Sequence, residues 1–220
     1  MTAATSVMDI GMLGAGEVAQ AIAGHAVSHG HQVTLSNRRG PRSIAPVVDR
    51  LGPLARGGTP AEAARAPIVL LAVPWTSLDQ AVASAAVEDW DGRIVIDATN
   101  HFAALTPRPV AADLGEVTGS EHVASLLPGA RVVKAFNTLY GRYIAAAPRQ
   151  PAGRQLLFVA GDDREANDTV AALADEFGFA PVVLDGLRDG GRLMQLGGPL
   201  SGLHALRQPS GSPPIPTTQS

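Results

Sequence analysis

The 220-residue chain contains no cysteine. This excludes a disulfide framework, an iron–sulfur cluster, a thiolate-ligated zinc site and a cysteine nucleophile. Aromatics are scarce, with two Trp, two Tyr and five Phe, although apolar residues make up 45% of the chain and suffice for a sizeable core. A basic excess is also missing. Seventeen basic against twenty acidic residues leave a net charge of −3, which speaks against a nucleic-acid-binding domain and against a polybasic membrane-surface protein. Lysine is nearly absent: Lys134 is the single one, and the other basic residues are arginines. No apolar run approaches the roughly 20 residues of a membrane span, the longest being stretches such as Ile68–Val73. Met1–Asp9 carries neither a basic n-region nor a secretory apolar segment. The expectation is a cytoplasmic protein.

Short β-branched runs alternate with alanine-rich stretches of helical length. Strands are expected at Val7–Leu13, Gln32–Ser36, Leu54–Arg56, Ile68–Val73, Arg93–Asp97, Arg131–Ala135, Gln155–Ala160 and Pro181–Leu184. Helices are expected at Glu17–His29, Ser43–Leu51, Thr59–Arg65, Ser77–Glu88, Gly119–Leu127, Thr138–Ala147 and Asp163–Phe177, with a partly helical Leu187–Leu206. Ala98–Thr118, with Pro107 and Pro109, reads as irregular. Such alternation predicts α/β architecture, a doubly wound parallel sheet with helices on both faces. One domain over residues 1–206 is expected, ending in a small C-terminal extension, followed by a disordered Pro/Ser/Thr-rich tail over 207–220.

The most informative segment is Leu13-Gly14-Ala15-Gly16-Glu17-Val18-Ala19. It gives G-x-G-x-x-A directly after a predicted strand and at the opening of a predicted helix, the context that a dinucleotide fingerprint requires. Gly14 permits the turn, Gly16 admits a pyrophosphate to the backbone, and Ala19 keeps helix and strand close. The helix N-terminus then offers free N–H groups to the anion. At the end of the second strand stands Ser36-Asn37-Arg38-Arg39-Gly40-Pro41. It lacks the carboxylate that would bind a ribose 2′-OH and repel a 2′-phosphate, and it offers two guanidinium groups instead. The cofactor expected is NADP(H).

These segments resemble the coenzyme F420-dependent NADP reductase family, in its broad bacterial branch. Three later segments agree: Leu71-Ala72-Val73-Pro74-Trp75, Val95-Ile96-Asp97-Ala98-Thr99-Asn100 and Val132-Val133-Lys134-Ala135-Phe136-Asn137-Thr138. So do Gly161-Asp162-Asp163 and the ending from Gly190 to Leu206. The resemblance implies a Rossmann domain with NADP(H) across the C-terminal ends of the strands and coenzyme F420 as co-substrate. It implies phosphate contacts from Ala15, Gly16, Glu17 and Val18, and a 2′-phosphate site at Asn37 and Arg38 beside Ser36 and Arg39. Val73, Pro74, Trp75, Asn100 and Ala135 would lie near the ribose and nicotinamide. A homodimer packed through the C-terminal segment fits the same resemblance.

Hydride exchange with a deazaflavin needs stacking more than acid–base help, and Trp75, Phe136, Met194, Leu196 and Leu200 are available as apolar walls. Reduction of a small ketone or imine would need a proton donor. Lys134, near the end of an apolar strand, is the candidate for it, and Asn137 is the candidate to bind a carboxamide or carbonyl. A third reading is an NADPH-binding redox sensor without turnover. His25, His29 and His31 read as a solvated helix end, so no metal is expected, and no G-x-S-x-G context supports a hydrolase.

Overall fold

The computed structural model describes residues 7–209. The first strand, β1 (Asp9–Leu13), leads into α1 (Glu17–Ser28), β2 (Gln32–Ser36), α2 (Ala45–Leu51), β3 (Ala55–Gly58), α3 (Pro60–Ala63) and β4 (Ile68–Leu71). There follow α4 (Leu78–Ala85), β5 (Ile94–Asp97), β6 (Phe102–Ala104), β7 (Val110–Ala111), α5 (Gly119–Ser125) and β8 (Arg131–Ala135). The chain closes with α6 (Gly141–Ala145), β9 (Arg149–Gln150), β10 (Gly153–Gly161), α7 (Arg164–Glu176), β11 (Ala180–Val183), α8 (Asp189–Met194) and β12 (Leu206–Arg207).

The main sheet runs β3-β2-β1-β4-β5-β8-β10-β11. From β3 to β8 every pair is parallel, and this is the dinucleotide-binding order, with its switch point between β1 and β4. Side chains alternate between two buried faces, as a doubly covered sheet requires. Ile68 and Leu70 pack with α1 and α7, through Ile22, Ala26, Val170 and Leu173. Val69 and Leu71 pack on the other face with Ala63, Leu78 and Val123 from α3, α4 and α5. Gly11 lies between Ile10 and Met12 and faces α3, where a Cβ would run into the Ala63 carbonyl. Gly11→Ala is expected to cost about 1–3 kcal/mol by overpacking, read as a lower midpoint in urea; an unchanged midpoint would contradict this tight strand–helix approach.

Two expectations need correction. β10 is antiparallel to β8, so the sheet is not parallel throughout. The reason lies in α6, expected over ten residues but only five long. It spans about 7–8 Å, whereas a return along β8 needs about 16 Å. The chain therefore re-enters at the end where β8 leaves. Ala98–Thr118 is not wholly irregular either: β6 and β7 form a hairpin within it, hidden in the sequence by Pro107 and Pro109. The C-terminal part adds α8, whose Met194 packs on Phe158 and Ala160 of β10. β12 pairs with β10, so Arg207 is part of a sheet, one residue past the expected boundary at 206. The remainder of the expected tail, from residue 210, lies outside the described residues. Among the described residues no helix is long and apolar enough to cross a membrane.

Candidate functional site

The switch point opens into two cavities, of about 440 and 460 Å³. Gly16, Ala72, Val73 and Pro74 belong to both, which makes them one continuous trough. The floor is set by backbone. Gly14, at φ +115°, leaves β1 so close to β4 that a Cβ would strike the Ala72 carbonyl, so this glycine serves the chain crossing itself. Gly16 differs: nothing lies within 4 Å of its missing Cβ. It is the N-cap of α1, and no side chain caps that helix. The first-turn N–H groups and the positive end of the helix dipole are thus left for an anion.

The first cavity ends on Ser36, Asn37, Arg38 and Arg39, and these four do different work. The Ser36 hydroxyl is buried and donates to the Met12 carbonyl at 2.7 Å, so it ties β2 to β1. Asn37 Oδ1 accepts from the Arg39 N–H at 2.9 Å, and its amide donates to Ser43 Oγ at 2.9 Å. It shapes the turn. Arg38 and Arg39 are exposed, and among the described residues their guanidinium groups have no ion pair or hydrogen bond. The opposite wall comes from α4 and the turn before it, with Ser77, Gln80, Ala81 and Ser84, which the sequence reading did not single out. An α4 face of small and polar residues beside a fingerprint loop was the available signal.

The second cavity brings together Gly16, Glu17, Val18, Val73, Pro74, Trp75 and Asn100, all anticipated. It also includes Phe102, Ala103, Ala104 and Leu105 of the hairpin, which were not. Trp75 packs against two histidines, with ring centroids 6.1 Å from His101 and 5.3 Å from His122. Burial and the Lys134 charge, opposed by Asp97, lower the His101 pKa and favour the neutral ring.

Ala135, Asn137 and Lys134 do not line either cavity. Asn137 links neighbours: its Nδ2 donates to the Met194 carbonyl at 2.8 Å, and Asn100 Nδ2 donates to its carbonyl at 2.9 Å. Phe136, at φ +63°, makes the sharp exit from β8 that brings these groups together. Of the other expected walls, Phe136 and Met194 are core residues. Lys134 is 2% exposed, and Nζ donates to Asp97 Oδ2 and to the Thr99 carbonyl, both at 2.9 Å. Asp97 in turn accepts from Thr99 N at 2.8 Å, Thr99 Oγ1 at 2.7 Å and Ser120 Oγ at 2.6 Å. Burial pushes the Asp97 carboxyl up, but the Lys134 charge and these hydrogen bonds outweigh it and hold it below the usual range. The ammonium is bound to structure under the Thr99–Asn100 wall and is not presented as a proton donor.

The expected solvated histidine end of α1 is better packed than that. His25 stacks on Phe177 and hydrogen-bonds the Ile144 carbonyl through Nε2, and His31 is buried beside Glu176. Among the described residues no group of three His, Cys, Asp or Glu side chains is placed to hold a metal.

Strand order, fingerprint loop and trough define a Rossmann-type nucleotide-binding protein. The sequence model of "NADP oxidoreductase coenzyme F420-dependent" matches residues 9–101. The hypothetical protein SMa0349 of Sinorhizobium meliloti is 38% identical, over 92% of this chain and 96% of that one, with a TM-score of 0.84. A protein of Arthrobacter sp. FB24, described as an F420-dependent NADP-reductase, is 27% identical over 82% of this chain and 86% of that one, with a TM-score of 0.72. The rat (Rattus norvegicus) metalloreductase STEAP3 is 29% identical over 178 residues, which are 81% of this chain but 34% of that protein. The chain therefore spans about a third of the length of this curated relative. The chain belongs to the F420-dependent NADP oxidoreductase family.

Proposed function

We propose that the protein is an NADP(H)-dependent oxidoreductase that exchanges hydride between NADPH and a flat ring acceptor such as coenzyme F420. The observation that carries this reading is the trough itself: unpaired arginines at one end, a bare helix N-terminus in the middle and an apolar chamber at the other end. Arg38 and Arg39 would hold the 2′-phosphate by charge-assisted hydrogen bonds. The N–H groups at Gly16, Glu17 and Val18 would face the pyrophosphate. Val73, Pro74 and Trp75 would flank the ribose and nicotinamide, with Asn100 held in place by Asn137. When bound, NADPH supplies the hydride; the chain's own work is to orient two rings and to exclude water.

The commitment of Lys134 to its buried partners favours this reading over reduction of a ketone or imine. Such a reduction needs a proton delivered to the product, and Lys134 is committed to Asp97 and Thr99. The test is NADPH oxidation by the pure protein with F420, flavins, quinones, ketones and imines in parallel, with NADPH affinity measured on the same sample. Oxidation by F420 or a flavin is expected, with none by ketones or imines. Turnover only with a ketone or imine would overturn the acceptor class. Tight binding with no turnover on any acceptor would favour a redox sensor.

A further inference from the structure

Glu17 is the single ionisable side chain among the residues that line the second cavity. The polar groups beside it, on Thr76, Thr99 and Asn100, are neutral. Glu17 is the first residue of α1, and its side chain lies against Gly141 at the start of α6. A Cβ on Gly141 would stand 2.6 Å from Glu17 Cγ and Cδ, so a larger residue there would push the carboxylate from its place. The other charges near this wall are compensated or turned elsewhere. Lys134 and Asp97 pair at 2.9 Å under Thr99. His101, behind Trp75, favours the neutral ring. Arg142 is attracted to Glu17, but its guanidinium lies over Tyr140 and Tyr143, 4.7 Å from each ring centroid. Among the described residues it makes no ion pair with Glu17. A ring seated in the cavity therefore meets a negative charge that is only partly offset.

The two forms of the cofactor differ in charge at that ring. Oxidised nicotinamide is a cation, and the reduced ring is neutral. Their phosphates are the same, so Arg38, Arg39 and the α1 N–H groups do not tell them apart. We propose that the Glu17 carboxylate favours the oxidised cofactor and so poises bound NADPH to give up its hydride. Loss of the hydride, with its electron pair, to the acceptor leaves the positive charge on the ring, where the carboxylate stabilises it. The bound couple is then more reducing than it would be beside a neutral side chain. This rests on the reading of the second cavity as the nicotinamide end of the trough.

The test is the ratio of the NADPH to the NADP⁺ dissociation constant, measured by calorimetry without any acceptor. Glu17→Gln keeps the shape and removes the charge. It is expected to lower this ratio by about three- to tenfold, and a tenfold change equals about 30 mV on a two-electron couple. The difference between Glu17→Gln and the native protein should shrink as salt is raised. Asp79→Asn removes an exposed carboxylate of α4 that lines neither cavity, and should leave the ratio unchanged. A ratio that stays the same or rises in Glu17→Gln, or that falls equally in Asp79→Asn, would overturn the proposal. Failure of the functional reading looks different. Absence of NADP(H) binding to the native protein would remove that reading and this inference together, whereas a ratio that shifts as expected without turnover on any acceptor would leave this inference standing alone.

Discussion

Replacing Arg38 by alanine is expected to weaken NADPH binding by about ten- to a hundredfold and NADH binding by less than about threefold, measured as two dissociation constants on one preparation. The two cofactors differ only in the 2′-phosphate, so their ratio isolates that contact. A charge-assisted hydrogen bond contributes about 1.5–3 kcal/mol, and each 1.4 kcal/mol is a factor of ten. Arg38 lines the first cavity and has no competing partner among the described residues to offset the loss. Arg39 is equally free, and Arg38→Ala/Arg39→Ala should bring the NADPH and NADH affinities close together. Both groups are exposed, so the preference for NADPH should also shrink as salt is raised. Ser36→Ala should leave the ratio alone, because that hydroxyl is bound to Met12. Equal losses for NADPH and NADH in Arg38→Ala would remove the arginine from the phosphate site.

The geometry of that candidate site was legible in the sequence because everything it needs is local. The glycine loop, the helix that follows and the end of β2 lie within about thirty residues, and each has its own turn or capping chemistry. The hairpin side of the trough was less legible. The hairpin carries two prolines and too few residues per strand for alternation to show, and the antiparallel β10 followed from the shortness of α6. The pairing of Lys134 was hidden for a third reason. Its partner Asp97 is 37 residues away and meets it only through strand pairing, as the last residue of β5 in register with Lys134. A signal was present: two apolar strands of the same sheet end with opposite charges, one acidic and one basic. Lone charges at the ends of buried strands are best read as a pair before either is given chemistry, because neither is stable there alone.

The same pair gives the second large effect. Lys134→Met is expected to lower unfolding stability by about 3–5 kcal/mol, because it leaves a fully buried carboxylate without its counter-charge. A stability curve in urea at pH 7 measures this, and a loss below about 1 kcal/mol would mean that the ion pair is not formed. The sign with pH follows from the linkage of protonation to folding. In the native pair the Asp97 carboxyl titrates below its ordinary value, so its contribution is present above the unfolded value and lost as pH falls through the folded one. Without Lys134, desolvation dominates and raises the carboxyl's affinity for a proton, so the variant gains relative to the native protein as pH falls toward 4 and Asp97 is neutralised. The gap between the two should therefore narrow in acid. Adding Asp97→Asn to Lys134→Met should recover much of the loss at pH 7 and remove the part of the pH dependence that comes from the stranded carboxylate, since the second substitution removes that charge and keeps the shape, with Oδ1 accepting from Thr99 and the amide Nδ2 donating to a reversed Ser120 hydroxyl. If Lys134 instead delivered a proton to substrate, the double variant would regain stability and still fail in turnover. With a positioning lysine, activity returns with the fold, because this pair places Thr99 and Asn100 in the wall of the second cavity.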